Sequence, residues 1–190
     1  SPDATLKGAY LASQYLSKEE TIVLVGNEKL AKSWFKSNNI NSSVFEFIHA
    51  DEVISMNEHA TKALRKKPNN SISKGFNALK NKEIDVFSSA GNSGAMLVGS
   101  MFSIGPIKGV IRPSITSVLP KKNGGVGLIL DVGVNADCKP DVLFQFAILG
   151  SLFAENVYNI QKPKVGLLNI GEEKGKGNLL TQSTYQLLED

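Results

Sequence analysis

Short apolar runs alternate with amphipathic stretches along the whole chain, and this alternation constrains the fold more than any other feature. Apolar or β-branched runs of about four to eight residues predict strands, whereas apolar residues spaced three and four positions apart predict helices. The predicted strands are residues 21–25, 43–50, 84–90, 114–120, 127–133 and 164–171. Strands that alternate with helices predict βαβ units, and therefore an α/β fold whose mostly parallel sheet is covered on both faces.

Helical patterns occupy most of the remaining sequence. They cover residues 1–16, 28–37, 58–67, 71–83 and 139–158, and the last residues are helical as well. Ser1 is a favoured helix N-cap and Pro2 a favoured first helical residue. Because the chain has no initial Met and ends inside a helical pattern, we expect a fragment of a longer protein. No linker or repeat interrupts it, so residues 1–190 are predicted to form a single, incomplete α/β domain.

Composition excludes several classes of function. Lys and Arg total 21 against 18 Asp and Glu, and this small excess is spread out, so no nucleic-acid partner is expected. A single cysteine, Cys138, excludes an internal disulfide framework and fits a reducing cytoplasm. With only two histidines, His49 and His59, a His-rich metal site is not expected either. We predict no metal, no cofactor, no signal peptide and no membrane span.

Polar, glycine-bearing loops follow four of the predicted strands. In open α/β sheets, ligands bind beyond the carboxyl ends of the strands, so these loops are expected to gather where the chemistry occurs. The four loops are residues 49–56, 88–95, 131–140 and 169–178.

The loop "SSAGNSGA" has the composition of an anion site at a helix start. Gly94 would let backbone N–H groups approach an oxyanion, and Asn92 and Ser93 would add side-chain donors. The alternative, an ordinary tight turn with an N-cap, is equally compatible with the residues.

The loop "NIGEEKGKGN" is similar to a nucleotide-binding P-loop only superficially. Its spacing is one residue too short, and Gly177 stands where Ser or Thr would bind magnesium, so a P-loop nucleotidase is disfavoured. Lys174 and Lys176 are candidate anion contacts. The alternative is a solvated, charged loop.

The loop "DVGVNADCKP" carries Asp131, Asn135, Asp137 and Lys139 within nine residues, and this mixture of Asp and Lys could orient a ligand through paired charges. No spacing in it specifies a metal, although a carboxylate–magnesium role stays open. Asp137 or Cys138 could instead cap the helix that Pro140 opens.

Two further residues are candidates. Arg112 has a guanidinium that can hold a phosphate or carboxylate through two hydrogen bonds. His49 ends a predicted strand and could be an acid or base, but a positioning or structural role is favoured because it has no identified partner.

Taken together, these motifs resemble the bacterial fatty acyl-carrier-protein:phosphate acyltransferase (PlsX) family along essentially the whole chain. The stretches that carry the resemblance are "HADEVISM", "KALRKK", "SAGNSGA", "IKGVIRPS", "LDVGVNADCKP" and "VGLLNIGEEKGKGN". Ser93 and Glu172 stand where the family usually has Thr, and Val134 replaces a usual Ala.

The resemblance implies a three-layer α/β/α sandwich similar to the phosphotransacetylase and isocitrate-dehydrogenase type. In that case the family's N-terminal strand with its glycine-rich loop, and its C-terminal part, would lie outside these 190 residues. It also implies a cytoplasmic homodimer, peripherally associated with the inner face of the membrane. Its expected partners are acyl carrier protein, inorganic phosphate and a downstream glycerol-3-phosphate acyltransferase.

The implied reaction is attack of inorganic phosphate on the thioester of long-chain acyl carrier protein, which yields acyl phosphate for phospholipid synthesis. Such a reaction needs a cradle for a dianion and an oxyanion more than it needs a nucleophilic residue. The alternatives are a non-catalytic scaffold that binds acyl carrier protein, and a phosphotransacylase that uses small thioesters.

On this resemblance, Lys176 is expected to neutralise charge in a pocket shaped by Asn169 and Asn178. These three are the candidate catalytic residues. The candidate phosphate- or substrate-binding residues are His49, Asn92, Ser93, Gly94, Arg112, Asn135, Asp137 and Lys139.

Overall fold

The computed structural model describes residues 2–189, so the predicted cap Ser1 lies outside the described residues, as does Asp190. The chain divides after Gly105 into two compact units. Each unit contains both helices and strands, and the predicted α/β class is confirmed. The prediction of a single domain over residues 1–190 stays a prediction.

The first unit is built on a parallel strand pair. Strand β1 (Ile22–Gly26) lies parallel to β2 (Phe45–His49), with Ile22 opposite Phe45 and Gly26 opposite His49. This pairing confirms that the fold contains a parallel sheet. The elements of this unit are α1 (Pro2–Ser13), β1 (Ile22–Gly26), α2 (Glu28–Ser37), a 3-10 turn (Ser42–Val44), β2 (Phe45–His49), α3 (Ala60–Lys66), α4 (Ser71–Lys80) and α5 (Ser93–Ser103).

Two apolar clusters stabilise this unit. In the first, Phe35 of α2 is fully buried and stacks on Phe45 of β2 with ring centroids 4.8 Å apart, and Leu6 of α1 joins them. In the second, Phe76 of α4 packs with Ala95 of α5. Burial of such side chains is the main favourable term in folding, so each cluster holds its helices in place.

Asparagine side chains set the starts of several helices in this unit, among them α2 and α4. The Asn27 side chain accepts a hydrogen bond from the Leu30 N–H at 3.0 Å, and the Asn70 side chain accepts one from the Ser73 N–H at 2.9 Å. Each satisfies an N–H group that has no acceptor within its own helix. Helix α3 ends just before Pro68, as predicted.

The second unit contains an antiparallel hairpin and two helices. Strand β3 (Thr116–Pro120) pairs antiparallel with β4 (Val126–Leu130), and α6 (Pro140–Tyr158) and α7 (Leu179–Glu189) follow. The antiparallel pair departs from the mostly parallel sheet expected from the sequence. The connection over residues 121–125 is too short for the crossover that parallel strands require, so the chain turns back on itself.

Helix α6 confirms its prediction but not its predicted cap. It begins at Pro140, and Lys139 occupies the N-cap position without a side-chain hydrogen bond to the helix. The expectation that Asp137 or Cys138 caps α6 is therefore wrong. Proline lacks an N–H and has a helical φ, so this helix starts without a polar cap.

Two predicted strands, residues 84–90 and 164–171, are wrong. Neither segment forms a strand with any of the residues from 2 to 189, and Val86, Leu168 and Ile170 are 79%, 83% and 87% exposed. A strand requires a hydrogen-bonded neighbour, and an apolar run in the sequence does not reveal whether one is at hand. The loops at 88–95 and 169–178 therefore do not follow strands.

Within residues 2–189, none of the helices combines the length and apolar character that crossing a membrane requires.

Candidate functional site

The segment from Asn169 to Asn178, here called the glycine loop, folds back on itself directly before α7. The Asn169 side-chain amide donates to the Lys176 carbonyl at 3.0 Å, and the Lys176 N–H donates to the Glu173 carbonyl at 2.9 Å. The backbone of Lys176 is thus held on both sides by other residues of the loop.

Gly177 makes this fold of the loop possible. Its φ is +92°, a conformation that residues with a side chain rarely adopt. A Cβ at this position would also overlap the side chains of Thr181 and Asn169. Position 177 therefore excludes every larger residue for two independent reasons.

Asn178 joins the glycine loop to α7. Its side-chain oxygen accepts a hydrogen bond from the Thr181 N–H at 3.0 Å, and the Thr181 hydroxyl donates to the Asn178 carbonyl at 3.0 Å. The N–H groups of Leu179 and Leu180 have no acceptor in the described structure. Unpaired N–H groups at a helix start attract anions.

A surface cavity of about 450 Å³ lies at this junction. Its lining residues are Leu168, Asn169, Ile170, Gly177, Asn178 and Thr181. The cavity contains two of the candidate catalytic residues, and Lys176 directly precedes Gly177 in its wall. The structure therefore brings Asn169, Lys176 and Asn178 together, as the sequence led us to expect.

The two lysines of the glycine loop differ in their surroundings. The Lys174 ammonium lies 2.6 Å from the Glu189 carboxylate and 5.6 Å from the centroid of the Tyr185 ring. The hydrogen bond with Glu189 raises the pKa of Lys174 and lowers that of Glu189. The Lys176 ammonium, by contrast, has no ion pair or side-chain hydrogen bond to any residue from 2 to 189. Of these two ammonium groups, only that of Lys176 lacks a partner among residues 2–189.

In the first unit, the side chain of Asn92 is occupied by protein contacts. Asn92 is buried, and its amide donates to the carbonyls of Ser55, Met56 and Glu58 at 2.9, 3.3 and 3.2 Å. Its side-chain oxygen accepts from the Ala95 N–H at 3.0 Å and so caps α5. Asn92 thus fastens the loop at residues 55–58 to the start of α5.

Ser93 and Gly94 occupy the first turn of α5 and are exposed. Their position at a helix start matches the anion-binding alternative derived from the sequence. Direct contact of Asn92, Ser93 or Gly94 with a phosphate stays a prediction.

His49 ends β2 in the same unit and is exposed. Its Nδ1 accepts a long hydrogen bond, 3.4 Å, from the Glu28 N–H at the start of α2. This contact matches the positioning role favoured from the sequence.

Asp131, which the sequence analysis noted in this loop but did not choose as a candidate site residue, organises the loop after β4. One carboxylate oxygen accepts from the Ile115 N–H at 3.0 Å, and the other accepts from Val134 and Asn135 at 3.0 and 2.7 Å. Burial raises the pKa of Asp131, but the hydrogen bonds from Asn135, Ile115 and Val134 outweigh it, so the pKa lies below the ordinary value. An Asp that follows a strand and precedes a glycine turn was the signal available in the sequence.

Two candidate binding residues help to hold this loop. The Asn135 side-chain amide donates to the Pro113 carbonyl at 2.9 Å, and the Arg112 guanidinium donates to the Asp137 carbonyl at 2.7 Å. Arg112, Asn135 and Asp137 therefore lie together, while the side chains of Asp137 and Lys139 are exposed.

Comparison with known proteins decides the family. A family model described as "Fatty acid synthesis protein" matches residues 1–190, the entire chain. The chain belongs to the fatty acid synthesis protein family.

Several curated relatives of this family member carry the name phosphate acyltransferase. Those of Dictyoglomus turgidum and Dictyoglomus thermophilum are 42% and 43% identical over 189 residues, which is 100% of this chain and 56% of each relative. That of Thermoanaerobacterium thermosaccharolyticum is 44% identical over 184 residues, 97% of this chain and 53% of the relative. The chain thus spans just over half the length of these relatives. The resemblance to the phosphate acyltransferases is confirmed.

The donors of this fatty acid synthesis protein suit the binding of an anion better than nucleophilic or metal chemistry. Burial raises the pKa of the Cys138 thiol, which reduces the fraction of reactive thiolate. Among residues 2–189, no three or more His, Cys, Asp or Glu side chains are placed to hold a metal ion. The glycine loop and the start of α7 instead offer the amide side chains of Asn169 and Asn178 in the cavity wall, with the Lys176 ammonium and unpaired N–H groups on neighbouring residues.

Proposed function

We propose that this fatty acid synthesis protein acts as an acyltransferase that makes acyl phosphate from long-chain acyl carrier protein and inorganic phosphate, for phospholipid synthesis. The observation that carries the proposal is Lys176, whose ammonium has no partner among residues 2–189 and whose backbone is fixed next to Gly177 in the wall of the cavity at the start of α7. The name phosphate acyltransferase, carried by relatives more than 40% identical to this chain, supports it.

In the proposed reaction, a phosphate oxygen attacks the carbonyl carbon of the thioester. A C–O bond forms, the carbonyl oxygen becomes an oxyanion, and collapse of this intermediate breaks the C–S bond. The carrier departs as a thiolate, which then takes a proton from solvent. Phosphate has a second pKa of about 6–7, so it is already largely ionised near neutral pH and needs no strong base.

The main task left to the protein is to hold negative charge in the right place. We assign to Lys176 the neutralisation of charge on phosphate or on the oxyanion. The N–H groups at the start of α7 add the positive end of the helix dipole. Asn169 and Asn178 shape the pocket by fixing the loop and capping the helix.

The remaining assignments concern substrate contact. We propose that Arg112, Asn135, Asp137 and Lys139 in the second unit contact substrate or hold the loop that does. In the first unit we assign the same role to His49, Asn92, Ser93 and Gly94. For Asn92 the proposed role is indirect, because its amide is already bonded to three carbonyls.

The wider proposal follows from family membership. The fold is a three-layer α/β/α sandwich and the working form is a homodimer in the cytoplasm, peripherally associated with the inner face of the membrane. Acyl carrier protein delivers the acyl group, and a glycerol-3-phosphate acyltransferase consumes the product. Native mass, carrier-binding and membrane-flotation measurements on the whole protein test these points separately.

The first experiment is acyl phosphate formation by the whole protein from palmitoyl-carrier protein, with and without inorganic phosphate. Phosphate-dependent product is expected. A folded protein that binds the carrier but forms no product would instead be the non-catalytic scaffold. A strong preference for acetyl thioesters would identify a small-thioester phosphotransacylase.

Replacing Lys176 tests the site itself. Lys176→Ala should lower turnover at least tenfold, about 1.4 kcal/mol of transition-state stabilisation, because the free ammonium is lost. Lys174→Ala is the matched control. It removes the same charge from the same loop, but from an exposed ion pair worth little, so turnover should stay close to wild type. Equal activities for the two variants would remove Lys176 from the site.

A further inference from the structure

One side chain of α7 holds the backbone on both sides of Lys176. The amide nitrogen of Gln182 donates to the carbonyl of Gly175 at 3.1 Å and to that of Gly177 at 3.2 Å. The carbonyl between them, that of Lys176, accepts from Asn169. Three consecutive carbonyls are therefore bound by side-chain amides, while the ammonium of the central residue has no partner among residues 2–189.

The Gln182 amide extends from a well-fixed part of the molecule. Its own backbone N–H donates to the Asn178 carbonyl at 3.1 Å, so Gln182 lies within the regular part of α7. Two residues later, Thr184 is fully buried and its hydroxyl donates to the Leu180 carbonyl at 2.7 Å. The hydrogen bonds from Gln182 thus connect the glycine loop to a packed helix.

The sequence around Lys176 explains why such a connection matters. Lys176 lies between Gly175 and Gly177, and glycine leaves the backbone more conformational freedom than any other residue. Without external contacts, this segment would sample many backbone conformations and carry the ammonium with it. A charge that is already in place when the transition state forms stabilises it more than one that must first be ordered.

We infer that Gln182 is a positioning residue for Lys176: by binding the carbonyls on either side, it fixes the backbone that carries the Lys176 ammonium, next to the wall of the cavity. This inference rests on the proposed function. It assigns Gln182 no contact with substrate, because its amide hydrogens are directed to the two carbonyls.

The first test compares two identical substitutions on the same helix of the whole protein. Gln182→Glu keeps the shape but removes the donors and sets a carboxylate against two carbonyls. Gln186→Glu makes the same change one turn later, at an exposed side chain without a hydrogen bond in the described residues. We expect kcat/KM for phosphate to fall about tenfold in Gln182→Glu, the equivalent of about 1.4 kcal/mol, and less than twofold in Gln186→Glu. Equal values for the two variants overturn the inference.

Gln182→Met shows whether the loss of activity comes from the missing hydrogen bonds or from the new charge or misfolding of the Gln182→Glu protein. Methionine has nearly the same length and a high helix propensity but donates no hydrogen bond. It should reproduce the loss seen with Gln182→Glu, while thermal unfolding shows that the protein is folded. Wild-type kinetics in a folded Gln182→Met protein would also overturn the inference.

A double-mutant cycle separates positioning of Lys176 from general support of the loop. If Gln182 acts through Lys176, then Gln182→Glu should change kcat/KM less than twofold when introduced into Lys176→Ala. A further tenfold loss in that background would show that Gln182 acts independently of Lys176, and the inference would be wrong.

Failure of the proposed function gives a different result. In that case the wild-type protein itself forms no phosphate-dependent product. If only the present inference is wrong, the wild type is active and Lys176→Ala is impaired, while Gln182→Glu either behaves like its control or lowers the activity of Lys176→Ala further.

Discussion

In the loop after β4, one carboxylate, that of Asp131, accepts several backbone hydrogen bonds. Three backbone N–H groups converge on it and connect the start of β3 to the loop at residues 131–135. Since an N–H donor stabilises the charged form of an acid, this arrangement makes the stability of the second unit depend on the ionisation of one residue.

Asp131→Asn should lower the free energy of unfolding by about 1–3 kcal/mol at pH 7, because hydrogen bonds to a charged acceptor are lost. The pKa of Asp131 in the folded protein lies below its ordinary value of 3.8. Its stabilisation is therefore complete above pH 3.8 and disappears as the pH falls through the lower, folded-state pKa. Urea unfolding of wild type and variant at pH 7 and at about pH 2 measures both effects.

Asp137→Asn is the matched control for this prediction. Its carboxylate lies in the same loop but is exposed, so the substitution should change stability by less than about 0.5 kcal/mol. If the difference between wild type and Asp131→Asn is the same at both pH values, ionisation of Asp131 does not stabilise the fold.

Individual site residues were only partly predictable. The sequence singled out both Lys174 and Lys176, but Lys174 pairs with Glu189, fifteen positions further along the chain. The fold of the glycine loop back onto α7 brings these two together, and composition does not record it. The contact of Asp131 with the Ile115 N–H could not be foreseen for a similar reason, because the two residues meet only once β3 and β4 have paired.

At the scale of elements, the packing of α4 depends on the absence of a side chain at Gly75. A Cβ at this position would overlap the ring of Phe87, which packs edge-on against Phe76 with centroids 5.0 Å apart. The ring is half-buried and packs against the second apolar cluster of the first unit, so moving it would disturb that cluster.

Gly75→Ala should therefore destabilise the protein by about 1–3 kcal/mol, although alanine is the better helix former. Gly8→Ala, in exposed α1 with no atom within 4 Å of the new Cβ, should stabilise it by about 0.5–1 kcal/mol. Chemical denaturation of the two variants beside wild type gives both numbers. The prediction for Gly75 fails if both variants gain stability.

Helices were predicted better than strands, for a physical reason. A helix satisfies its backbone internally, so spacing and caps suffice to locate it, and α2 and α6 lie where their patterns indicate. A strand depends on a neighbour from elsewhere in the chain. The apolar runs at 84–90 and 164–171 match those of β1 and β4 in character but have no partner strand among residues 2–189.

At the scale of the molecule, the connection between the two units is a segment that a protease should reach readily. Residues 104–108 form no helix or strand after α5, and Ile107 is 77% exposed. From Gly109 onward the chain is anchored, because the Gln145 side chain binds the Gly109 carbonyl and the Ile111 N–H. Backbone that is exposed and poorly hydrogen-bonded is the preferred site of cleavage.

Of Lys108, Lys121 and Lys122, trypsin should cut the whole protein first after Lys108. Lys121 and Lys122 are also exposed, but they lie in the tight turn of the β3–β4 hairpin, which must open before cleavage. Mass spectrometry of a limited digest identifies the cut, and Lys108→Gln should abolish it. Earlier cleavage after Lys121 or Lys122 would contradict this account.

The α/β class and the family were evident from the sequence, because alternating patterns and long motifs can be recognised without knowing which residues are in contact. The division after Gly105 was not foreseen. The residues around it are as apolar as those in the cores, and only the folded chain shows that Ile104 and Ile107 are exposed.

The three glycines of the glycine loop differ in which other residues could replace them. Gly177 combines a positive φ with filled space, whereas an added Cβ at Gly175 would meet no atom within 4 Å. A Cβ added at Gly171 would lie 2.9 Å from the side chain of Glu173 and 3.0 Å from that of Lys176. If all three positions were randomised and folded variants selected, we would therefore expect only glycine at 177, a few residue types at 171 and many at 175.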